Sequence, residues 1–287
     1  MTENLRDKTV KGVAWSFAER FSVQGVTFLL ELIIARLVGP ENYGLIAMLA
    51  IFMAVSQVFI DGGFSSALIQ RQDRNEKDFS TVFYINVGIS VITYLLLFFA
   101  APWIASFFNQ PILEPITRIY SINLVLNSLV AVHKTKLTIA VNFKTQTKIS
   151  LLSAVLSGLL GVVLAWLGWG VWALVWQVLA AAVLNVAFSL YFVRWLPRER
   201  FSGDSFRKLF AFGSKLLAAT LISSLYSRIY DLVIGKRFSS ASLGLYSRAD
   251  KFNQFASTNI SGILARVSFP VLSEIQDDDS RLLSVYK

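Results

Sequence analysis

Cysteine is absent and histidine occurs once, as His133. The first absence excludes disulfides and thiolate metal sites; the second excludes a histidine-based catalytic or zinc cluster. Charge is scarce as well. Asp, Glu, Lys and Arg make up 16% of the 287 residues, against 55% hydrophobic residues, where a soluble domain carries about 25% charged residues. So little polar surface cannot cover so much apolar surface in water, whereas a bilayer is itself an apolar solvent. No acidic metal motif stands between the apolar runs and no long connection could hold a catalytic domain, so an enzyme is not expected and no cofactor is implied. Proline is limited to Pro40, Pro102, Pro111, Pro115, Pro197 and Pro270, all at or near expected helix ends, where a missing backbone donor is tolerated.

What is present are long uncharged runs. Phe79 to Leu113 is 35 residues without a charge, and Ile149 to Val193 is 45. A membrane crossing needs about 20 residues, so the second run must hold two helices, divided at Leu167-Gly168-Trp169-Gly170. Extended along the chain, the pattern predicts an all-α polytopic membrane protein of about eight transmembrane helices. Their expected ranges are 13–38, 43–69, 79–104, 112–139, 149–167, 170–194, 213–236 and 243–270. Trp103, Trp166, Trp169 and Trp172 mark one water interface, and Trp15 and Trp195 the other. The first apolar helix carries Glu19, Arg20 and Glu31 and lacks a cleavage site, so it reads as a retained span rather than a signal peptide.

The net charge of +9 resides in alternate connections, which points to topology rather than nucleic acid. Arg6, Lys8 and Lys11 precede the first span. Arg71, Arg74 and Lys77 follow the second; Lys134, Lys136, Lys144 and Lys148 surround the join of the fourth and fifth; Arg198, Arg200, Arg207 and Lys208 follow the sixth. Opposite them stand only Arg36 and the pair Lys236–Arg237. The positive-inside rule therefore places the N-terminus in the cytoplasm.

An internal repeat organises these spans. Residues 31–52 and 231–252 align without gaps at an offset of 200, matching Glu31 with Asp231, Arg36 with Lys236, Gly44 with Gly244 and Phe52 with Phe252. Six intervening spans restore the starting side, so the copies are parallel, as in transporter folds built around a central site. The expected organisation is a cytoplasmic N-terminus (1–11), a six-helix lobe (12–195), a cytoplasmic linker (196–212) and the first two helices of a second lobe (213–287), with the rest of that lobe missing.

Polar residues inside spans face protein or a water-filled cavity. In the first span Arg20, Gln24, Thr27 and Glu31 stand at i, i+4, i+7 and i+11, one narrow helical stripe. Thr220, Ser224, Ser227 and Asp231 repeat it at the offset of 200, with Arg228 beside them. Gln57 and Asp61 lie one turn apart in the second span; Ser257 and Ser261 replace them in the eighth, which also carries Arg248 and Lys251. Spans one, two, seven and eight are thus expected to line an aqueous cavity, with three, five and six largely facing lipid. Each polar group has a plainer reading. Glu31–Arg36 and Asp231–Lys236 can equally be structural ion pairs, Arg248 and Lys251 can snorkel to headgroups, and Asp61 beside Gly62-Gly63 can cap a helix end. His133 reads as an interface residue, and Asn123 and Asn127 as hydrogen-bonding partners between helices.

The runs ARLVGPENYGLIAM (35–48), FIDGGFSSALIQR (59–71), LGLYSRADKFNQF (243–255) and ARVSFPVLSEIQDD (265–278) resemble the bacterial polysaccharide and O-antigen flippases of the multidrug/oligosaccharidyl-lipid/polysaccharide exporter superfamily. That resemblance implies two six-helix lobes in a V, with helices one, two, seven and eight around the cavity, alternating between inward- and outward-open states in the bacterial inner membrane. It implies export of oligosaccharide units on undecaprenyl diphosphate, in lipopolysaccharide or exopolysaccharide biosynthesis. The expected partners are that lipid-linked oligosaccharide, membrane lipids and polysaccharide polymerase machinery, with no nucleic acid. An anionic diphosphate suits arginine, whose planar fork makes bidentate contacts. Arg20, Arg228 and Arg248 are accordingly expected to hold it, with Gln24, Thr27, Ser224 and Ser227 facing the sugars. The rival readings are a drug or cation antiporter of the same superfamily and a non-transporting fragment.

Overall fold

A computed structural model describes residues 24–251 and 253, apart from 72 and 141. Helices account for almost all of it. α1 (24–38) ends at Gly39, whose φ of 79° suits a residue without a Cβ. Pro40 then opens α2 (Pro40–Asp61) at a position where its missing N–H is no loss. Gly62 and Gly63 follow with φ of 53° and 73° and break the helix before α3 (Phe64–Gln70). α4 (Glu76–Phe108) starts at a capping box: the Asp78 N–H donates to Asn75 Oδ1 at 3.0 Å, and the Asn75 N–H to Asp78 Oδ2 at 3.1 Å.

α5 (Leu113–Tyr120) and α6 (Ile122–Ile139) are separated at Ser121. α7 (Phe143–Trp166) and α8 (Val171–Val193) form a hairpin through Gly168 and Gly170, both at positive φ. α9 (Gly203–Arg237) is capped by Ser202, and α10 begins at residue 240.

Six stretches are long and apolar enough to cross a membrane: 40–70, 76–108, 113–139, 143–166, 171–193 and 203–237. The shortest, at 23 residues, spans about 35 Å at 1.5 Å per residue, more than a hydrocarbon core of about 30 Å. They correspond to the second through seventh expected spans. The first expected span is described only from residue 24 and the eighth only to 251 and 253. Pro102 differs from expectation: α4 continues to Phe108, so this proline lies inside the helix rather than at its end. Arg118 adds a cation on the sparsely charged side; it pairs with Glu114 at 2.9 Å and stacks over Phe98.

Successive crossings alternate in direction, which gives the bundle a basic end (connections 71–75, 140–142 and 194–202) and a far end (109–112, 167–170 and 238–239). α7 packs along α8, α6 against α4 and α8, and α9 along α2, reaching α3 and α4. One apolar core joins Met48, Leu49, Phe108, Leu113, Val175 and Leu243; a second, near the basic end, joins Phe64, Leu68, Phe79, Val132, Trp195 and Leu209. Outward, α4, α7 and α8 expose Leu96 (65%), Phe99 (68%), Val163 (52%) and Val183 (52%), a surface that a bilayer solvates and water does not. The chain divides into two compact units, residues 1–244 and 245–287. The described residues of the second, 245–251 and 253, are helical.

Candidate functional site

The break in α2 determines where polar groups can gather. With Gly62 and Gly63 in the left-handed region, Asp61 ends one helix and accepts a hydrogen bond from the Ser65 hydroxyl of the next at 2.6 Å. α9 approaches this break backbone to backbone. A Cβ on Gly63 would lie 2.5 Å from the Gly213 carbonyl oxygen, and one on Gly213 would lie 2.7 Å from that of Gly62. Beyond the contact the helices leave a cleft of about 560 Å³. Gln57, Asp61, Gly63 and Ser66 line one wall, and Leu216, Leu217, Thr220 and Ser224 of α9 line the other. A second chamber of about 490 Å³ opens on α6 and is lined by Gln57, Asp61, Ser65, Asn127, Lys134 and Thr135. Gln57 and Asp61 belong to both.

The cleft therefore brings together Gln57, Asp61 and Ser224, with Thr220 from the same stripe. The other expected site residues lie elsewhere. Gln24, Thr27 and Glu31 are half-buried on α1 and are not among the residues lining either chamber. Ser227 is exposed and donates to the Ser224 carbonyl. Arg228 donates to Asp231 at 3.2 Å, and the Asp231 side chain is 6% exposed. Asp231 is thus bonded to Arg228 one turn before it, while the expected partner Lys236 reaches the Phe107 carbonyl and ring. Arg248 and Lys251 fall in the second compact unit, and Arg20 lies outside the described residues. Asp61 is the one charged group among the described lining residues of the larger cleft. Its walls offer a carboxylate, an amide and hydroxyls, a set that hydrogen-bonds hydroxyl-rich ligands. Among the described residues no group of three or more His, Cys, Asp or Glu could hold a metal ion.

A second polar assembly lies at the basic end. Lys136 Nζ reaches Glu76 Oε1 at 2.5 Å, and the Trp195 indole N–H donates to Glu76 Oε2 at 2.8 Å. Lys136 also sits over the rings of Phe79 and Trp195 at 4.5 and 4.7 Å. His133 is 2% exposed, with Nε2 at 2.9 Å from the Trp195 carbonyl oxygen. It is a buried packing residue. The Ser80 and Thr81 hydroxyls accept the backbone N–H groups of Glu199 and Ser202. Together these contacts pin the connection between α8 and α9 to the start of α4. Nearby, Arg71 forks onto Asp73 at 2.7 and 2.9 Å. That hydrogen bond holds the Asp73 carboxyl at about 2, below its usual 3.8, and raises the Arg71 guanidinium.

α4 also buries Asn86 and Ser90 on its inner face, and the Ser90 hydroxyl meets Ser128 of α6 at 2.9 Å. Among the described residues Ser128 and Lys136 make the hydrogen bonds from α6 to α4, and Asn123 and Asn127 make none to a neighbouring helix.

Residues 33–287 match the model of a family described as polysaccharide biosynthesis protein. The lipopolysaccharide biosynthesis protein WzxC of Escherichia coli (strain K12) is 26% identical over 292 aligned positions, covering 99% of this chain and 58% of that protein. The succinoglycan biosynthesis transport protein ExoT of Rhizobium meliloti (strain 1021) is 26% identical over 283, covering 98% and 57%. The teichuronic acid biosynthesis protein TuaB of Bacillus subtilis (strain 168) is 28% identical over 227, covering 78% and 47%. The chain spans roughly half to three-fifths of the length of these relatives. In structure it is similar to an inward-facing multidrug resistance MATE family transporter of the MOP superfamily, with a TM-score of 0.62 at 16% identity over 93% of this chain and 68% of that one. At that identity the likeness establishes the fold.

Proposed function

From the polysaccharide biosynthesis protein family, to which this chain belongs, we propose that it serves the membrane export of polysaccharide precursors. The cargo is an oligosaccharide repeat unit on undecaprenyl diphosphate, moved from the cytoplasmic to the periplasmic leaflet of the inner membrane by alternating access. The N-terminus and the basic end face the cytoplasm. This is transport rather than catalysis, and polysaccharide polymerase machinery is the downstream partner.

The observation that carries the reading is the cleft between α2–α3 and α9, from different copies of the repeat. In it Gln57, Asp61, Ser66, Thr220 and Ser224 are set among apolar side chains, in a bundle that shows lipid an apolar face on α4, α7 and α8. Gln57, Asp61, Thr220 and Ser224 offer hydrogen bonds to sugar hydroxyls where lipid offers none. Gln24, Thr27 and Ser227, which lie outside this cleft in the structure, are assigned to the sugars elsewhere along the path, and Arg20, Arg228 and Arg248 to the diphosphate. The lipid tail stays in the bilayer. Glu31 and Asp231, at equivalent positions of the repeat, are the candidates for coupling to protons. The test is complementation of an export-deficient strain by the gene carrying Arg20→Gln and Arg228→Gln. Polymer at the surface is expected to disappear while protein in the membrane stays at the parental amount. Normal export from the double variant refutes the diphosphate assignment.

One observation favours a second reading. Asp61 is the charged group on the described cleft wall, which suits a cationic substrate and hence a drug or cation antiporter. Restored polymer export with unchanged drug sensitivity separates the two.

A further inference from the structure

At the far end, α2 and α10 begin side by side and cross at two glycines. A Cβ on Gly44 would stand 2.9 Å from Ser240 Cα and 2.5 Å from its carbonyl carbon; one on Gly244 would stand 2.8 Å from the Pro40 carbonyl carbon and 3.0 Å from Gly44 N. Atoms at such distances overlap, and the obstacles are backbone, which cannot rotate away. The contact is also reciprocal. Position 44 meets 240 and position 244 meets 40, each partner displaced by the offset of 200 that relates the two repeats. An isologous contact across a two-fold axis has this pattern, so the two copies meet here about a local pseudo-two-fold axis.

Neighbouring residues seal the level below. A Cβ on Gly235 would stand 3.0–3.1 Å from the side chains of Phe108, Leu243 and Met48, and Lys236 reaches the Phe107 carbonyl. Leu243 is fully buried in the same core as Met48, Leu49 and Phe108. The larger cleft lies on the basic side of this seam, lined by Gln57, Asp61 and Ser66. Both crossing helices start directly after a break: Gly39 at φ 79° before α2, and Phe238–Ser239 outside helix before α10. These breaks occupy equivalent positions of the repeat. A glycine contact lets the backbones part with no interlocked side chains to withdraw.

Resting on the reading of the chain as a transporter, we propose that the Gly44–Ser240 and Gly244–Pro40 crossing is the closure of the transport path at its far end. The crossing is made in the state described here and separates when the cleft opens to the opposite side. Small size at 44 and 244 is then a requirement of closing.

The absence of cysteine makes a direct test available. Ser224→Cys places a single thiol in the cleft of the full chain in oriented membrane vesicles. Leu167→Cys and Arg200→Cys calibrate the far and basic faces, and a membrane-impermeant maleimide is applied to each face. The thiol at position 224 is expected to be labelled from the basic face and shielded from the far face. Adding Gly44→Ala or Gly244→Ala is expected to speed far-face labelling by at least about tenfold, because a substituent that disfavours one state shifts the population to the other. Gly88→Ala, where a Cβ meets nothing within 4 Å, leaves it unchanged.

Alanine favours helix over glycine, so Gly44→Ala does not weaken α2 itself. Three results overturn the proposal: far-face labelling of the parent as fast as basic-face labelling, unchanged labelling in well-folded alanine variants, or aggregation of both alanine variants with Gly88→Ala intact. The last would show a permanent seam. Labelling involves no cargo, so loss of export with the expected labelling pattern counts against the proposed cargo and not against this closure.

Discussion

Trp195→Phe isolates the assembly that fastens the α8–α9 connection to the start of α4. The substitution removes the indole N–H that donates to Glu76 Oε2 at 2.8 Å and leaves an aromatic ring beside Lys136 and His133. A hydrogen bond to a charged group contributes about 1.5–3 kcal/mol when buried. Glu76 is 49% exposed, so solvent screening reduces this to about 1–1.5 kcal/mol. Trp195 itself is 8% exposed, and replacing the indole by a smaller ring leaves a gap worth about 1 kcal/mol.

The sum, about 2 kcal/mol, corresponds to a fall of about 4–8 °C in Tm for a chain of this size. Thermal unfolding in detergent, followed by helical circular dichroism, measures it. Glu76→Gln and the double variant complete a cycle in which the coupling is expected at about 1 kcal/mol. A Trp195→Phe protein that melts within about 1 °C of the parent, or effects that simply add, would refute the reasoning.

Gly63→Ala forces a side chain into φ +73° and against the Gly213 carbonyl at 2.5 Å. It is expected to lower Tm well below that of Gly88→Ala, and equal melting of the two contradicts the close approach of α9 to the α2–α3 break. For Asp73 the carboxyl is depressed in the folded chain, to about 2 from 3.8. Its contribution is therefore present above the unfolded value and lost as pH falls from there towards the folded one. The Tm difference between the parent and Asp73→Asn is expected to be constant from neutral pH to about 5 and to shrink below about 4; a difference that widens in acid refutes the sign. Replacing Glu31 and Asp231 together by amides should abolish any pH dependence of transport, measured as initial rate against pH, and unchanged dependence would show that neither couples to protons.

The membrane class and the order of the spans were legible because each depends on local composition: uncharged runs, glycine turns and basic connections. The offset of 200 was legible too, and it reappears as the reciprocal crossing of Gly44 and Gly244. Other features depend on residues far apart in sequence. Glu76 and Trp195 are 119 positions apart and Glu76 and Lys136 are 60 apart, so no periodicity announces their hydrogen bonds. Asp231 illustrates a local ambiguity. Arg228, three residues before Asp231, shares its helix face, whereas Lys236, five residues after it, points to another side and finds a carbonyl on α4. Pro102 inside α4 shows that a proline near an apolar run's end does not fix that end when neighbouring helices support the continuation. Of the expected polar lining, Gln57, Asp61 and Ser224 share a cleft. The two-residue turn at Gly62-Gly63 and the backbone contact with Gly213 place them there, and only a three-dimensional structure shows that contact.

Translocation of a lipid-linked oligosaccharide in proteoliposomes tests the central claim most directly. The chain is reconstituted with an undecaprenyl-diphosphate oligosaccharide, and the fraction reaching the opposite leaflet is read by an impermeant sugar-modifying enzyme. Faster transfer than in protein-free liposomes is predicted, falling to the protein-free rate when Gln57 and Ser224 are both replaced by leucine at equal protein density. Transfer at the protein-free rate with the parent chain, or transfer unaffected by the double replacement, contradicts passage of the glycan through the cleft between α2–α3 and α9.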